Sequence, residues 1–248
     1  MKLQKRMVLA MTLLILIIGG TGCMNSGDQV VQYVEEKYNQ EFEVETVKEG
    51  SKFLADLYGK DKVVLHPKGN ADIVFVAQEH SKKKNVFFDN YVAARWGEEL
   101  KAELAPQIEQ HIPADSEYKV LVYINSTKFD DSMINMSLQE FMGEVDNNVR
   151  VVLDVGIKTA GEPDVSEYSE GITNLYDLVK NLGTAQYTVS VGFVDASEDI
   201  SEYIRTAYVN NIPWTNLDAK VYGDVNIDDR YESVSPEDVV ENYQPIGG

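Results

Sequence analysis

Asp224, Asn226 and Asp228 place three oxygen-bearing side chains at alternate positions, residue types that hold a hard cation such as Ca²⁺. An EF-hand-like loop begun at Asp224 needs glycine at its sixth position and a bidentate glutamate at its twelfth, where this chain has Asp229 and Ser235. The same spacing is that of a strand with polar outward residues, so no metal site is expected. Tyr91, Arg95 and Trp96 form a second group, suited to a groove for a peptide or glycan. Against that use, Trp96 lies on the stripe Val92, Leu100, Leu104, which is a core stripe, and Arg95 precedes Glu99 by the four residues of an ordinary helix ion pair. His66, His80 and His111 are scattered over a strand, a loop and a helix end, where surface roles are expected. The chain has no G-x-S-x-G, H-E-x-x-H, phosphate-cradling glycine loop or C-x-x-C. No catalytic residue and no cofactor is assigned. Paired carboxylates for glycoside hydrolysis are defined by spatial separation, which sequence does not carry.

The one cysteine, Cys23, follows a basic stretch with Lys2, Lys5 and Arg6, an apolar run from Met7 to Ile18, and Gly19-Gly20-Thr21-Gly22. This is the layout of an export signal. Even extended through Gly22 the apolar stretch has 16 residues, short of the ~20 that span a bilayer. The stretch resembles the lipobox of bacterial lipoproteins, with small residues at Thr21 and Gly22 before the cysteine. It departs at Gly20, where that family commonly has an aliphatic residue. The resemblance implies a signal peptide over residues 1–22, and a diacylglycerol and fatty acyl on Cys23. It also implies a cell-membrane address on the extracytoplasmic side. Two acyl chains hold a protein stably where one does not, since each buried methylene contributes about 0.8 kcal/mol.

Without residues 1–22 the formal charge falls from −19 to −22, with 41 acidic and 19 basic residues over 226 positions. So acidic a surface repels nucleic acid and anionic headgroups, and neither is an expected ligand. With Cys23 acylated no disulfide is left, so the fold depends on its apolar core.

The elements that must position any site follow from periodicity. A tether over 23–27 leads to a helix from an Asp28 cap to about Asn39. Residues 41–47 alternate, with Phe42, Val44 and Thr46 expected inward. Strands are also expected at 62–66, 72–78, 118–124, 149–157, 187–193 and 219–225, about seven in all. A long helix runs from Asp89 to about His111, with Pro106 expected to kink or break it near Leu104-Ala105. Shorter helices are expected at 137–142 and 172–182, and one from a Ser197 cap that carries Ile200, Ile204, Ala207 and Tyr208. Residues 229–248 read as an acidic tail. Alternating rather than solidly apolar strands predict an α+β class: mostly antiparallel or mixed sheet, helices on one face, within 28–228. Halves at 28–125 and 148–228 are one arrangement, a continuous domain the other.

The run 33–44 (YVEEKYNQEFEV) with Phe88-Asp89-Asn90-Tyr91 resembles lipoproteins of Gram-positive bacteria related to bacilli, a group without an established activity. The expected function is therefore a lipid-anchored binding or interaction module, with a protein or envelope polymer as partner. A hydrolase acting on envelope polymer through carboxylates, or a structural envelope component, are the alternatives.

Overall fold

The structure, a computed structural model, describes residues 26–48 and 61–246. The signal stretch, Gly20 and Cys23 lie outside the described residues, as does most of the tether. No helix among the described residues is long and apolar enough to cross a membrane. The class is α+β, as the alternation predicts, with nine strands in two sheets among the described residues.

Helix α1 (Ser26–Tyr38) starts two residues before Asp28 and ends at Asn39, whose left-handed backbone (φ 49°) turns the chain. Strands β1 (Phe42–Lys48), β2 (Lys62–Pro67), β3 (Phe75–Glu79) and β4 (Phe87–Asp89) form an antiparallel sheet in chain order. Val30 and Val34 of α1 pack on its inner face against Phe42, Val63, Leu65, Phe75 and Ala77. The expected inward set of β1 needs correction. Only Phe42 is buried, while Val44 is exposed and Thr46 faces solvent. A bulge between Val44 and Thr46 shifts the register, and it leaves Glu45 instead in a bidentate pair with Arg205 (2.7 and 2.9 Å).

Helix α2 (Tyr91–Ile108) joins the two sheets. Tyr91 and Ala94 belong to the first core, while Val92, Trp96, Leu100, Leu104 and Ile108 belong to the second. Pro106 does not end it. The proline sits in the last turn, where Leu104 and Ile108 are both buried and hold the turn down. Gly97 lets α2 approach the second sheet, since a Cβ there would lie 2.6 Å from the Val120 carbonyl oxygen.

The second sheet has the order β5 (Glu117–Ile124), β6 (Val149–Thr159), β7 (Gln186–Asp195), β8 (Val221–Asp228), β9 (Tyr243–Pro245). All pairs are antiparallel except β6–β7, which α4 (Ser169–Lys180) connects as a crossover. One face carries the main core, built from Val149, Val151, Leu153, Val155, Val189, Val191 and Phe193 under α2, α3 (Leu138–Glu144) and α4. The boundary at 125/148 is corrected by this pairing, because β5 belongs with β6 in the second sheet.

The opposite face is not left entirely wet. Residues 200–217 descend on it, burying Ile200, Ile204 and Trp214 against Val194 and Val221. The single helix expected from Ser197 is two, α5 (Ser201–Arg205) and α6 (Ala207–Asn210). Between them the Thr206 hydroxyl donates to the Glu202 carbonyl (2.7 Å), a local bond that competes with helix continuation. The acidic tail is also corrected. Ser235 and Asp238 form a capping box for α7 (Pro236–Glu241), Val239 is fully buried, and β9 pairs with β8.

Candidate functional site

Strand alternation sends Leu121 and Tyr123 of β5, Arg150, Val152 and Asp154 of β6, Thr188 and Ser190 of β7, and Asp224 and Asn226 of β8 to the face away from the main core. Residues 203–215 overhang them and leave a cleft of about 500 Å³. Register sets its floor: Asp154, Ser190 and Asn226 stand side by side on three neighbouring strands. Asp224 lies two residues from Asn226 on the same face.

Two glycines build the end wall. Gly156 and Gly192 are in-register partners on β6 and β7. A Cβ on Gly192 would lie 2.3 Å from the Trp214 ring, and one on Gly156 would meet Ile200 Cδ1 at 2.2 Å. Only bare backbone at both positions lets Trp214 lie on the sheet, where its Nε1 donates to Ser190 Oγ (3.0 Å). Ser190 stands beside Asp154 as its register partner across β6 and β7. Tyr203 packs on Trp214 (ring centroids 5.0 Å apart) and donates its hydroxyl to the Ile212 carbonyl (2.8 Å). At the other end Tyr123 stacks on Tyr208 (5.2 Å), and the Arg150 guanidinium lies 4.5 Å over the Tyr123 ring.

Burial pushes the Asp154 carboxyl up to about 6, and the bond from Ser190 only partly offsets it. Asp224 is raised for the same reason, opposed by Asn226, whose amide reaches it at 3.4 Å. No lysine, arginine or histidine among the described residues forms an ion pair with either carboxylate or pulls its pKa down. Their field is felt nearby. The Tyr203 phenol is raised by burial and then by Asp154 and Asp224, and Tyr123 by burial and Asp154. The floor is electronegative and its walls are half-exposed phenols.

Of the three residues singled out on β8, two line this cleft. Asp224 and Asn226 are there, whereas Asp228 is held by Arg230 Nε (2.8 Å) at the strand end. A straight strand fans the three apart, and among the described residues no group of three or more His, Cys, Asp or Glu is arranged to hold a metal. Of Tyr91, Arg95 and Trp96, weighed as a groove, the tryptophan packs in the core as its stripe indicates. Trp96 is fully buried, with its Nε1 on the Met136 carbonyl (2.8 Å), and Arg95 donates to the same oxygen (3.0 Å). Tyr91 is buried among Tyr38, Phe42 and Phe75, its hydroxyl accepting from Gln40 (2.8 Å). Both aromatic side chains are core, and neither offers a surface. Asp154, Ser190 and Trp214 are residues that sequence reasoning missed. The readable signal was glycine at the outward positions 156 and 192 of two well-patterned strands, a landing place for a large side chain.

No protein-family model matches the chain, and no curated protein matches it. Among solved structures it is similar to the crystal structure of a DUF5037 family protein from Ruminococcus gnavus. The TM-score is 0.54 with 13% sequence identity, over 87% of this chain and 98% of that one. The likeness concerns the fold alone.

Proposed function

We propose that the chain is an exported, lipid-anchored binding module, held on the extracytoplasmic side of the cell membrane through Cys23, whose ligand site is the cleft beneath residues 203–215. The anchor is supported by the charge order, apolar length and small residues ahead of Cys23. The single observation that carries the binding site is the preformed hollow of about 500 Å³, with polar groups from four strands on its floor and aromatic walls fixed by Trp214 on Gly192. Such a hollow fits a small polar molecule or the exposed end of a polymer.

Two measurements test this. Metabolic labelling with a fatty acid marks the native protein and not Cys23→Ala; an unlabelled native protein released into the medium refutes the anchor. Ligand-observed NMR with polar fragments yields hits that vanish for Gly192→Leu, whose side chain displaces Trp214. Hits unaffected by that change place binding elsewhere.

One observation favours a second reading, hydrolysis of an envelope polymer. A carboxyl titrating near 6 stays protonated often enough to act as a general acid while a second carboxylate assists. Release of soluble fragments from purified envelope polymer, abolished by Asp154→Asn, is its test.

A further inference from the structure

We infer that the cleft recognises a primary ammonium group on a compact polar ligand, with Asp154 and Asp224 as its counter-charges. The inference rests on the cleft being a ligand site and specifies the chemistry that site takes.

The argument starts from donors. Several donors around the two carboxyls are engaged: Trp214 Nε1 on Ser190, the Asn226 amide on Asp224, and the Tyr203 hydroxyl on the Ile212 carbonyl. The Asn210 amide, on the overhanging helix, is turned to the Tyr203 carbonyl (2.8 Å) and Thr206 Oγ1 (3.2 Å). Neither carboxylate receives a bond from a charged donor among the described residues, and their acceptor capacity asks for a ligand that donates.

Charge narrows the choice. Among the described residues the one cationic side chain lining the cleft is Arg150, and it lies over Tyr123, four residues along β6 from Asp154. At strand rise that is roughly 13 Å away. An anionic ligand at the Asp154 end would meet like charge. A neutral polyol would hydrogen-bond but leave two partly buried carboxylates uncompensated. A divalent metal ion such as Ca²⁺ wants six to eight oxygens, and the two carboxylates stand on strands separated by β7. An ammonium group brings three donors and one positive charge, the counter-charge that no side chain among the described residues gives these two carboxylates. The half-exposed Tyr203 ring beside both carboxylates adds a face for the carbon adjoining the nitrogen.

The test uses the full chain in detergent micelles at pH 7.5, titrated by NMR with matched probes that differ in the charged nitrogen. These are glucosamine against glucose and N-acetylglucosamine, and 1,4-diaminobutane against 1,4-butanediol. The expected result is that at least one amine binds roughly tenfold or more tightly than its neutral counterpart. Asp154→Asn and Asp224→Asn each remove that preference, while retained circular dichroism and tryptophan emission report an intact fold. Neutral members binding as tightly as their amines, or calcium displacing the amine, overturn the ammonium assignment and leave the cleft as a site. An amine preference that survives both substitutions places recognition outside Asp154 and Asp224 and overturns the assignment as well. If no probe binds the folded native protein, both the assignment and the cleft as a ligand site fall.

Discussion

Asp89 and Asp154 are two partly or wholly buried aspartates on the two sheets, and their surroundings are opposites. Asp89, at the end of β4, accepts from Lys37 Nζ (2.9 Å), the hydroxyls of Tyr38 (2.6 Å) and Tyr33 (3.2 Å), and the Tyr91 backbone N–H (3.1 Å). Burial works against the Lys37 charge, but Asp89 and Asp131 outweigh it and hold the ammonium well above its ordinary range. A hollow of about 370 Å³ adjoins this pair, shares Tyr123 with the larger cleft, and contains a carboxylate already neutralised. Asp154 has a hydroxyl and no cation. In the first site α1 supplies the missing charge from within the chain; in the second the fold leaves that position vacant and open to solvent. A satisfied carboxylate fastens a helix to a sheet, and an unsatisfied one is available to a ligand.

The sharpest break of this comparison is Asp89→Ala. It leaves the Lys37 ammonium with the exposed Asp131 (2.9 Å) as its counter-charge and removes three side-chain bonds, so about 3 kcal/mol of stability is lost, read by urea unfolding. Gly192→Ala acts on the other site. Its Cβ drives Trp214 off the sheet, lowering stability by roughly 1–3 kcal/mol and shifting tryptophan emission to the red.

Asp154→Asn runs the other way. The native carboxyl has a folded value raised to about 6, above its unfolded value near 3.9, so the unfolded chain ionises first as pH rises. The resulting destabilisation is absent below about pH 4, grows to pH 6 and is constant above. Asparagine removes it, so the variant is more stable than the native protein by about 3 kcal/mol at pH 7 and nearly equal to it at pH 4. Paired unfolding curves at the two pH values check this. Asp228 supplies the control, since its partner Arg230 is 83% exposed. Arg230→Ala leaves the unfolding midpoint unchanged.

Much of the fold was legible because long elements repeat their period. β6 alternates over nine residues from Val149 to Ile157, and α4 carries Ile172, Leu175 and Val179 at helical spacing. The two strands missing from the expected seven, β4 and β9, have three residues each, too few to show any alternation. The signal Ser235-Pro236-Glu237-Asp238, a cap followed by proline and acids, was readable, but the acidic composition around it masked it. The site was less legible. Asp154 on the outward side of β6 looks like any solvated residue until β7 places Ser190 beside it and Trp214 closes the end. Asp224 and Asn226 stood out by spacing, and that spacing pointed to a cation site they do not form alone. Adjacency across β6, β7 and β8 is a property of pairing order, which single-strand periodicity does not encode.

The position of β9 bears on the order in which the molecule assembles. The first sheet is a meander whose strands pair with their neighbours in sequence, so its contacts close short loops and form early in a chain that emerges N-terminus first. The second sheet pairs β6 with β7 across a helix, and its outer edge is covered only when Tyr243–Pro245 arrives, after all the other strands of that sheet. Until then β8 presents an unpaired edge, with Asp224 opposite the Gln244 that later covers it. The part of the cleft floor that holds Asp224 is thus among the last to be finished. A chain cut before Tyr243 carries the first sheet, and a second sheet whose exposed strand is open to pairing with its neighbours.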